Sequence, residues 1–217
     1  MSDPLIRLDG VSFAHEDGRP VLDSVDFTLA AGERVALTGP NGAGKTTLLH
    51  LMVGLLRPAA GRVVAFGGER RVERDFHEVR AKAGLLFQDS DDQLFCPTVA
   101  EDVAFGPLNL GRSRAEAAAI VAATLGRVGL AGFEGRITHR LSGGEKRLVA
   151  LAAVLAMDPL ALLLDEPSNG LDDDARARLL DILDALPQAM VIVSHDRDFL
   201  DRLATRRVRM AQGRLIG

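Results

Sequence analysis

The chain has 217 residues, the length of one large domain or of one domain with a small insert. With 47% hydrophobic and 26% charged residues it can bury a sizeable core, and a net charge of −4 with a pI near 5.7 removes the electrostatic case for a dedicated nucleic-acid binder. A helical membrane span needs ~20 apolar residues, the longest run here (Leu148 to Met157) has ten, and the lone Cys96 fits a reducing compartment.

Short apolar runs alternate with longer helical patterns. Met1-Ser2-Asp3-Pro4 lacks the basic start and apolar stretch of a signal peptide. Leu5 to Phe13 and Val21 to Leu29 flank a Gly18-Arg19-Pro20 turn and predict a hairpin. Arg34 to Thr38 is a compact strand running into glycines, and Lys45 to Leu56 a helix ended by Arg57-Pro58. Arg62 to Phe66 and Gly84 to Gln88 are further strand candidates. Thr98 with Glu101 and Ser113 with Glu116 have capping-box spacing, which starts helices near Val99 and Arg114 and makes roughly residues 90 to 140 mostly helical. Ser142 with Glu145 repeats the spacing and opens a helix through Met157. Strand Ala161 to Leu164, helix Asp174 to Leu186, strand Val191 to Val193 and helix Asp198 to Leu203 follow. Buried strands alternating with helices predict an α/β protein: a parallel-sheet core with an antiparallel N-terminal β layer and an α-helical insert.

Gly39-Pro40-Asn41-Gly42-Ala43-Gly44-Lys45-Thr46 fits the P-loop pattern, with a strand before it and a helix after it. Glycines let successive backbone N–H groups converge on phosphate oxygens, and the helix N-terminus adds favourable partial charge. Lys45 is placed to reach the β- and γ-phosphates, the Thr46 hydroxyl to ligate Mg²⁺, and Thr47 completes the binding segment. Leu160 to Leu164 then delivers Asp165-Glu166 to the carboxyl end of a buried strand, where ligands of open α/β sheets collect. Asp165 would orient the water shell of Mg²⁺, and Glu166 would polarise the attacking water.

Leu141-Ser142-Gly143-Gly144-Glu145 stands about twenty residues before those carboxylates. With the P-loop it resembles the signature of ABC-transporter ATP-binding subunits, and the resemblance covers essentially the whole chain. Residues 1–217 are thus expected to form a single ABC ATPase cassette, a P-loop NTPase core with a helical subdomain at about 90–157. Gln88 resembles the Q-loop glutamine that helps hold the metal and sense the γ-phosphate. Ser168-Asn169-Gly170-Leu171-Asp172 resembles the D-loop, and Ser194-His195-Asp196 the switch-histidine loop. The resemblance implies that two subunits close head to tail, the signature of one meeting ATP on the P-loop of the other. The second subunit is another copy or a related paralogue. Two positions depart from the pattern. Glu145 stands where many members have glutamine, and the adenine-stacking position falls on His15, with Phe13 the other candidate.

The stretch from Phe87-Gln88-Asp89 to Ala104-Phe105-Gly106-Pro107 is similar to the ATPases of energy-coupling-factor importers, and Glu145-Lys146-Arg147 agrees with their cobalt/nickel branch. The function implied is the ATP-hydrolysing motor of such an importer, for cobalt or nickel ions ahead of biotin or another vitamin. A non-transport ABC ATPase acting on nucleic acid or ribosomes is the reading from another class. ATP and Mg²⁺ are the implied cofactors, and no nucleic-acid partner is expected. A transmembrane coupling subunit would contact residues 89–105 and a membrane-embedded substrate-binding subunit would act indirectly, which places the chain on the cytoplasmic face of the cell membrane. Asp89, Asp91, Asp92, Glu101 and Asp102 would form either an acidic groove for a basic coupling helix or simply a solvated loop. His15, His50, His77 and His139 lack metal-site spacing, so the cargo site is expected on other subunits.

Overall fold

A computed structural model describes residues 3–16 and 18–216. Met1 and Ser2, on which part of the signal-peptide argument falls, lie outside the described residues. In chain order the elements are β1 (Ile6–Ala14), β2 (Pro20–Leu29), β3 (Arg34–Thr38), α1 (Lys45–Met52), β4 (Ala60–Ala65), β5 (Gly68–Arg70), α2 (Glu73–Lys82) and β6 (Ala83–Leu86). There follow α3 (Val99–Asn109), α4 (Arg114–Arg127), α5 (Gly143–Leu155), β7 (Ala161–Asp165), α6 (Asp173–Asp184), β8 (Ala189–Val193), α7 (Arg197–Leu203), β9 (Arg206–Ala211) and β10 (Arg214–Ile216).

The chain forms two compact units. The first comprises the chain up to Leu85, Leu160–Asp165 and the chain from Pro187 onward; the second comprises Leu86–Pro159 and Glu166–Leu186. The first unit carries an antiparallel sheet of order β2-β1-β4-β5, with Ile6 opposite Leu29 and Leu8 opposite Phe27. Alternation explains it: Leu22, Val25, Phe27 and Leu29 of β2 are buried while their neighbours face out. The other sheet has the order β10-β9-β3-β8-β7-β6, with β3 parallel to both β8 and β9, and β7 parallel to β8. Every residue of β7 and β8 is buried, as expected of strands covered on both faces. These features make the protein an α/β protein with a largely parallel sheet and an added antiparallel layer.

Several bounds differ from those the sequence predicts. The first helix ends at Met52, not Leu56. Gly54 takes a left-handed conformation (φ 72°), and the Leu55 and Gly54 N–H groups donate to the carbonyls of His50 (2.9 Å) and Leu51 (3.3 Å), a glycine-terminated C-cap. Helix α2 gave no starting signal because its N-cap is Val72, which has no acceptor. Only the reverse half of a cap exists, the Asp75 carboxylate accepting from the Arg71 and Val72 N–H groups at 3.0 Å each. Strand β9 reads as a charged segment, yet Val208 and Met210 alternate inward among its arginines. Strand β6 stops at Leu86, so Gln88 lies in a loop beyond the strand rather than at its end.

The second unit is helical. Its helices α3, α4 and α5 begin where Thr98, Ser113 and Ser142 accept from the N–H groups of Glu101, Glu116 and Glu145. Each glutamate carboxylate accepts in return from the N-cap N–H at 2.8–3.0 Å.

Candidate nucleotide site

In the first unit β3 feeds the glycine loop, and α1 starts at Lys45 after an N-cap glycine, with no side chain capping its N-terminus. Gly39 sits at φ 141°, and a Cβ there would lie 2.1 Å from the Met210 carbonyl oxygen of β9. The loop can approach that strand only without a side chain. Lys45 is 7% exposed, and its ammonium donates to the Gly39 and Pro40 carbonyls at 2.9 and 3.0 Å. Its cation is therefore held inside the loop that would wrap the phosphates. Thr46 is exposed at the first turn of α1.

Asp165 ends β7 with 3% exposure, and among the described residues its Oδ1 is buried without a hydrogen-bond partner. A carboxylate oxygen in that condition suits a hydrated divalent cation, and the Thr46 hydroxyl is the ligand type that accompanies it in P-loops. These donors fit Mg²⁺. His50 of α1 has its pKa lowered by burial, opposed by the charge of Asp165. His195 follows β8, and its Nε2 donates to Asn41 Oδ1 of the glycine loop at 2.9 Å. An amide oxygen only accepts, so Nε2 carries the proton. The structure thus brings His195 to the P-loop through Asn41, a link that spacing alone did not specify. His15 is exposed beyond β1 and meets Phe13 edge to face, with ring centroids 5.5 Å apart.

In the second unit Ser142 caps α5, leaving Ser142 and Gly143 exposed and Glu145 half-buried. The Glu145 carboxylate accepts from Ser142 N–H and pairs with Arg136 at 3.0 Å, and these contacts, the backbone one foremost, hold its pKa down. Arg136 in turn stacks on Phe133, 3.6 Å from the ring centroid. Gln88 is exposed after β6. Glu166 is a non-glycine residue at φ 44°, a left-handed conformation that costs about 1–2 kcal/mol and aims its side chain differently from a strand residue.

The acidic surface expected over 89–102 is corrected at Asp102. That residue is 4% exposed and accepts from the Phe95 and Cys96 N–H groups (3.0 and 2.9 Å) and from the Thr138 hydroxyl (3.0 Å). It is a structural acceptor turned inward, not a surface charge. Asp91 is paired with Lys146 at 2.5 Å, and Glu101 serves the α3 cap. What lies beside them is apolar. Phe95 and Phe105, 64% and 48% exposed, meet edge to face at 4.9 Å. Phe105 helps line a groove of about 610 Å³ with Ala104, Leu108 and Val121, rimmed by Glu101 and Glu134.

A glycine loop, a lysine-headed helix and a strand-terminal carboxylate on one largely parallel sheet define a P-loop nucleotide-binding protein. The comparisons narrow the class. Residues 22–169 match the family model described as ABC transporter. A chain from Brucella suis biovar 1 (strain 1330), provisionally named an ABC transporter ATP-binding protein, is 59% identical over 98% of this chain and 88% of its own length. An energy-coupling factor transporter ATP-binding protein of Methanothermobacter thermautotrophicus is 44% identical over 98% of this chain and 70% of its own. Among solved structures, cbiO1 from Clostridium perfringens, described as part of the ABC transporter complex cbiONQ, superimposes with a TM-score of 0.88 at 32% identity. The match covers 100% of this chain and 88% of that one. The chain belongs to the ABC transporter ATP-binding family, and it is an ATPase of the kind that powers such transporters. Among the described residues no helix is long and apolar enough to cross a membrane.

The sequence did not disclose the inward turn of Asp102, or Arg147, which donates to the Phe87 and Gln88 carbonyls. The only available signal was position: Arg147 occupies the helical stripe of Ala150, Leu151 and Val154, where a charge needs a buried partner.

Proposed function

We propose that the chain is the motor subunit of an energy-coupling-factor importer, carrying cobalt or nickel ions in preference to biotin or another vitamin. The observation that carries this is the likeness of residues 87–107 to such ATPases, together with the 44% identity to the Methanothermobacter subunit and the fold shared with cbiO1.

In this reading the P-loop N–H groups and Lys45 hold the β- and γ-phosphates, and His15 (or Phe13) stacks on adenine. Bound Mg²⁺, held through Thr46, Asp165 and Gln88, supplies charge stabilisation at the phosphates. Glu166 accepts a proton from water as the water oxygen bonds to the γ-phosphorus and the bridging oxygen departs with ADP. His195 and Gln88 sense the γ-phosphate. Leu141, Ser142, Gly143, Gly144 and Glu145 face ATP held by a second cassette, where the Gly143 and Gly144 N–H groups between the capped ones at the start of α5 suit an anion. ATP therefore joins two cassettes, and hydrolysis releases them.

The coupling subunit would dock on the 89–105 region. The apolar groove beside Phe105 suits the apolar face of a helix, and Glu101 and Glu134 at its rim suit a basic residue on it.

Glu166→Gln tests the motor. Turnover should vanish while ATP binding remains, and an ATP-dependent dimer should accumulate; an unchanged rate would sink Glu166 as the base. Uptake of cobalt, nickel and biotin by cells expressing the chain with its membrane partners tests the cargo. Biotin uptake without metal uptake would overturn that part.

A further inference from the structure

The second unit contains a buried cation that none of the roles above employs. Arg147 lies on α5, the helix opened by the signature serine, and is 4% exposed. Its Nη1 donates to the Phe87 carbonyl at 2.6 Å, and its Nη2 donates to the Gln88 carbonyl. Strand β6 has already ended at Leu86, so these two carbonyls have left the sheet ladder and are satisfied by α5 instead. A planar guanidinium fork matches two successive acceptors, which a single ammonium does not.

Two neighbouring ties point the same way. Gln93 accepts the Phe87 N–H on Oε1 at 3.2 Å and donates Nε2 to the Ala150 carbonyl of α5 at 3.4 Å. Lys146, one residue before Arg147, pairs with Asp91 at 2.5 Å. The segment 87–93 is therefore held to α5 by the side chains of Gln93, Lys146 and Arg147, of which Arg147 brings the most deeply buried charge.

We infer that Arg147 is a positioning residue that fastens the Gln88 backbone to the signature helix. The loop reading the chain's own nucleotide and the helix offered to the partner's nucleotide then move as one piece. The inference rests on the proposed roles of Gln88 and of the signature. Its consequence is coupling: a displacement of α5 on meeting the partner's ATP reaches the segment through all three ties, and Arg147 is the one that bonds Gln88 itself.

The test uses the full chain and five variants: Arg147→Met, Arg147→Lys, Gln88→Ala, and Gln88→Ala combined with each of the two Arg147 changes. Steady-state hydrolysis is measured against ATP and against Mg²⁺. Arg147→Met should lower kcat about tenfold and raise the Mg²⁺ needed for half-maximal rate, with KM for ATP within about twofold of the parent. Arg147→Lys, keeping charge but not the fork, should lose about threefold in kcat with a smaller drop in melting temperature than Arg147→Met. In the Gln88→Ala background Arg147→Met should cost no more than about a further twofold, because its effect passes through Gln88. A full additive loss there overturns the inference while leaving the role of Gln88 standing. Should Gln88→Ala alone leave kcat unchanged, the role of Gln88 fails and the inference with it. If Arg147→Met does not fold, Arg147→Lys carries the test in both backgrounds, and full activity in that variant is likewise overturning.

Discussion

His195 Nε2 donates to Asn41 Oδ1 at 2.9 Å, joining the loop after β8 to the glycine loop after β3 across 154 residues of sequence. Under the role proposed for His195, breaking this bond would free the Nε2–H to donate to an incoming phosphate oxygen. His195→Ala should lower turnover about 10²-fold, the scale of a lost proton donor or acceptor, with ATP affinity retained within a few-fold. Asn41→Ala, which frees the ring without removing it, should cost less. Equal losses from both variants would argue that Asn41 itself touches the nucleotide.

Asp102 is a stability residue, and its removal strands three donors. Asp102→Ala should destabilise the chain by about 3 kcal/mol, because the Phe95 and Cys96 N–H groups and the Thr138 hydroxyl lose their acceptor inside the fold. Denaturant unfolding measures this directly. Charge reversal at Asp91, an exposed residue paired with Lys146, should change stability by well under ~1 kcal/mol.

Cys96 should be a poor nucleophile. Burial, with the charge of Asp102 second, pushes its thiol up to about 11, so at pH 8 roughly a thousandth is thiolate. Alkylation of the native chain should be at least ~50-fold slower than of the unfolded chain at pH 8, and should keep rising about tenfold per pH unit to pH 10. A plateau by pH 9 would contradict the shifted thiol.

Two loop glycines separate steric from conformational demand. Gly39→Ala places a methyl group against the Met210 carbonyl and should abolish ATP binding and lower the melting temperature by several degrees, about 2–3 kcal/mol. Gly42, at φ 75°, has nothing within 4 Å of the place a methyl group would take, so Gly42→Ala should cost only the backbone strain of about 1 kcal/mol. Nucleotide titration and thermal unfolding of both variants distinguish the two.

Much of the molecule was legible in the sequence because its signals are local. A glycine loop between a strand and a helix, a buried strand ending in Asp165-Glu166, and serine or threonine three residues before glutamate all act within a few residues. Contiguous sequence therefore carries them, and the α/β cassette follows. Helix α2 and strands β5, β9 and β10 were not legible. Val72 offers no cap, and the arginines of β9 mask an alternation that matters only once a sheet lies beside it.

The amino-acid sequence by itself determined the class of chemistry: a glycine loop of the phosphate-binding pattern, a buried strand ended by a carboxylate, and the family that carries both. The tertiary structure alone decided how charges were used. Asp102 and Arg147 look like surface residues in a polar segment and a helix. Each is instead buried, one accepting from a loop, the other donating to carbonyls about sixty residues earlier in the chain. The physical reason is that a buried charge must be matched wherever packing brings a partner: for Arg147 the acceptors lie about sixty residues away, and for Asp102 packing adds the distant Thr138 hydroxyl to the nearby Phe95 and Cys96 N–H groups.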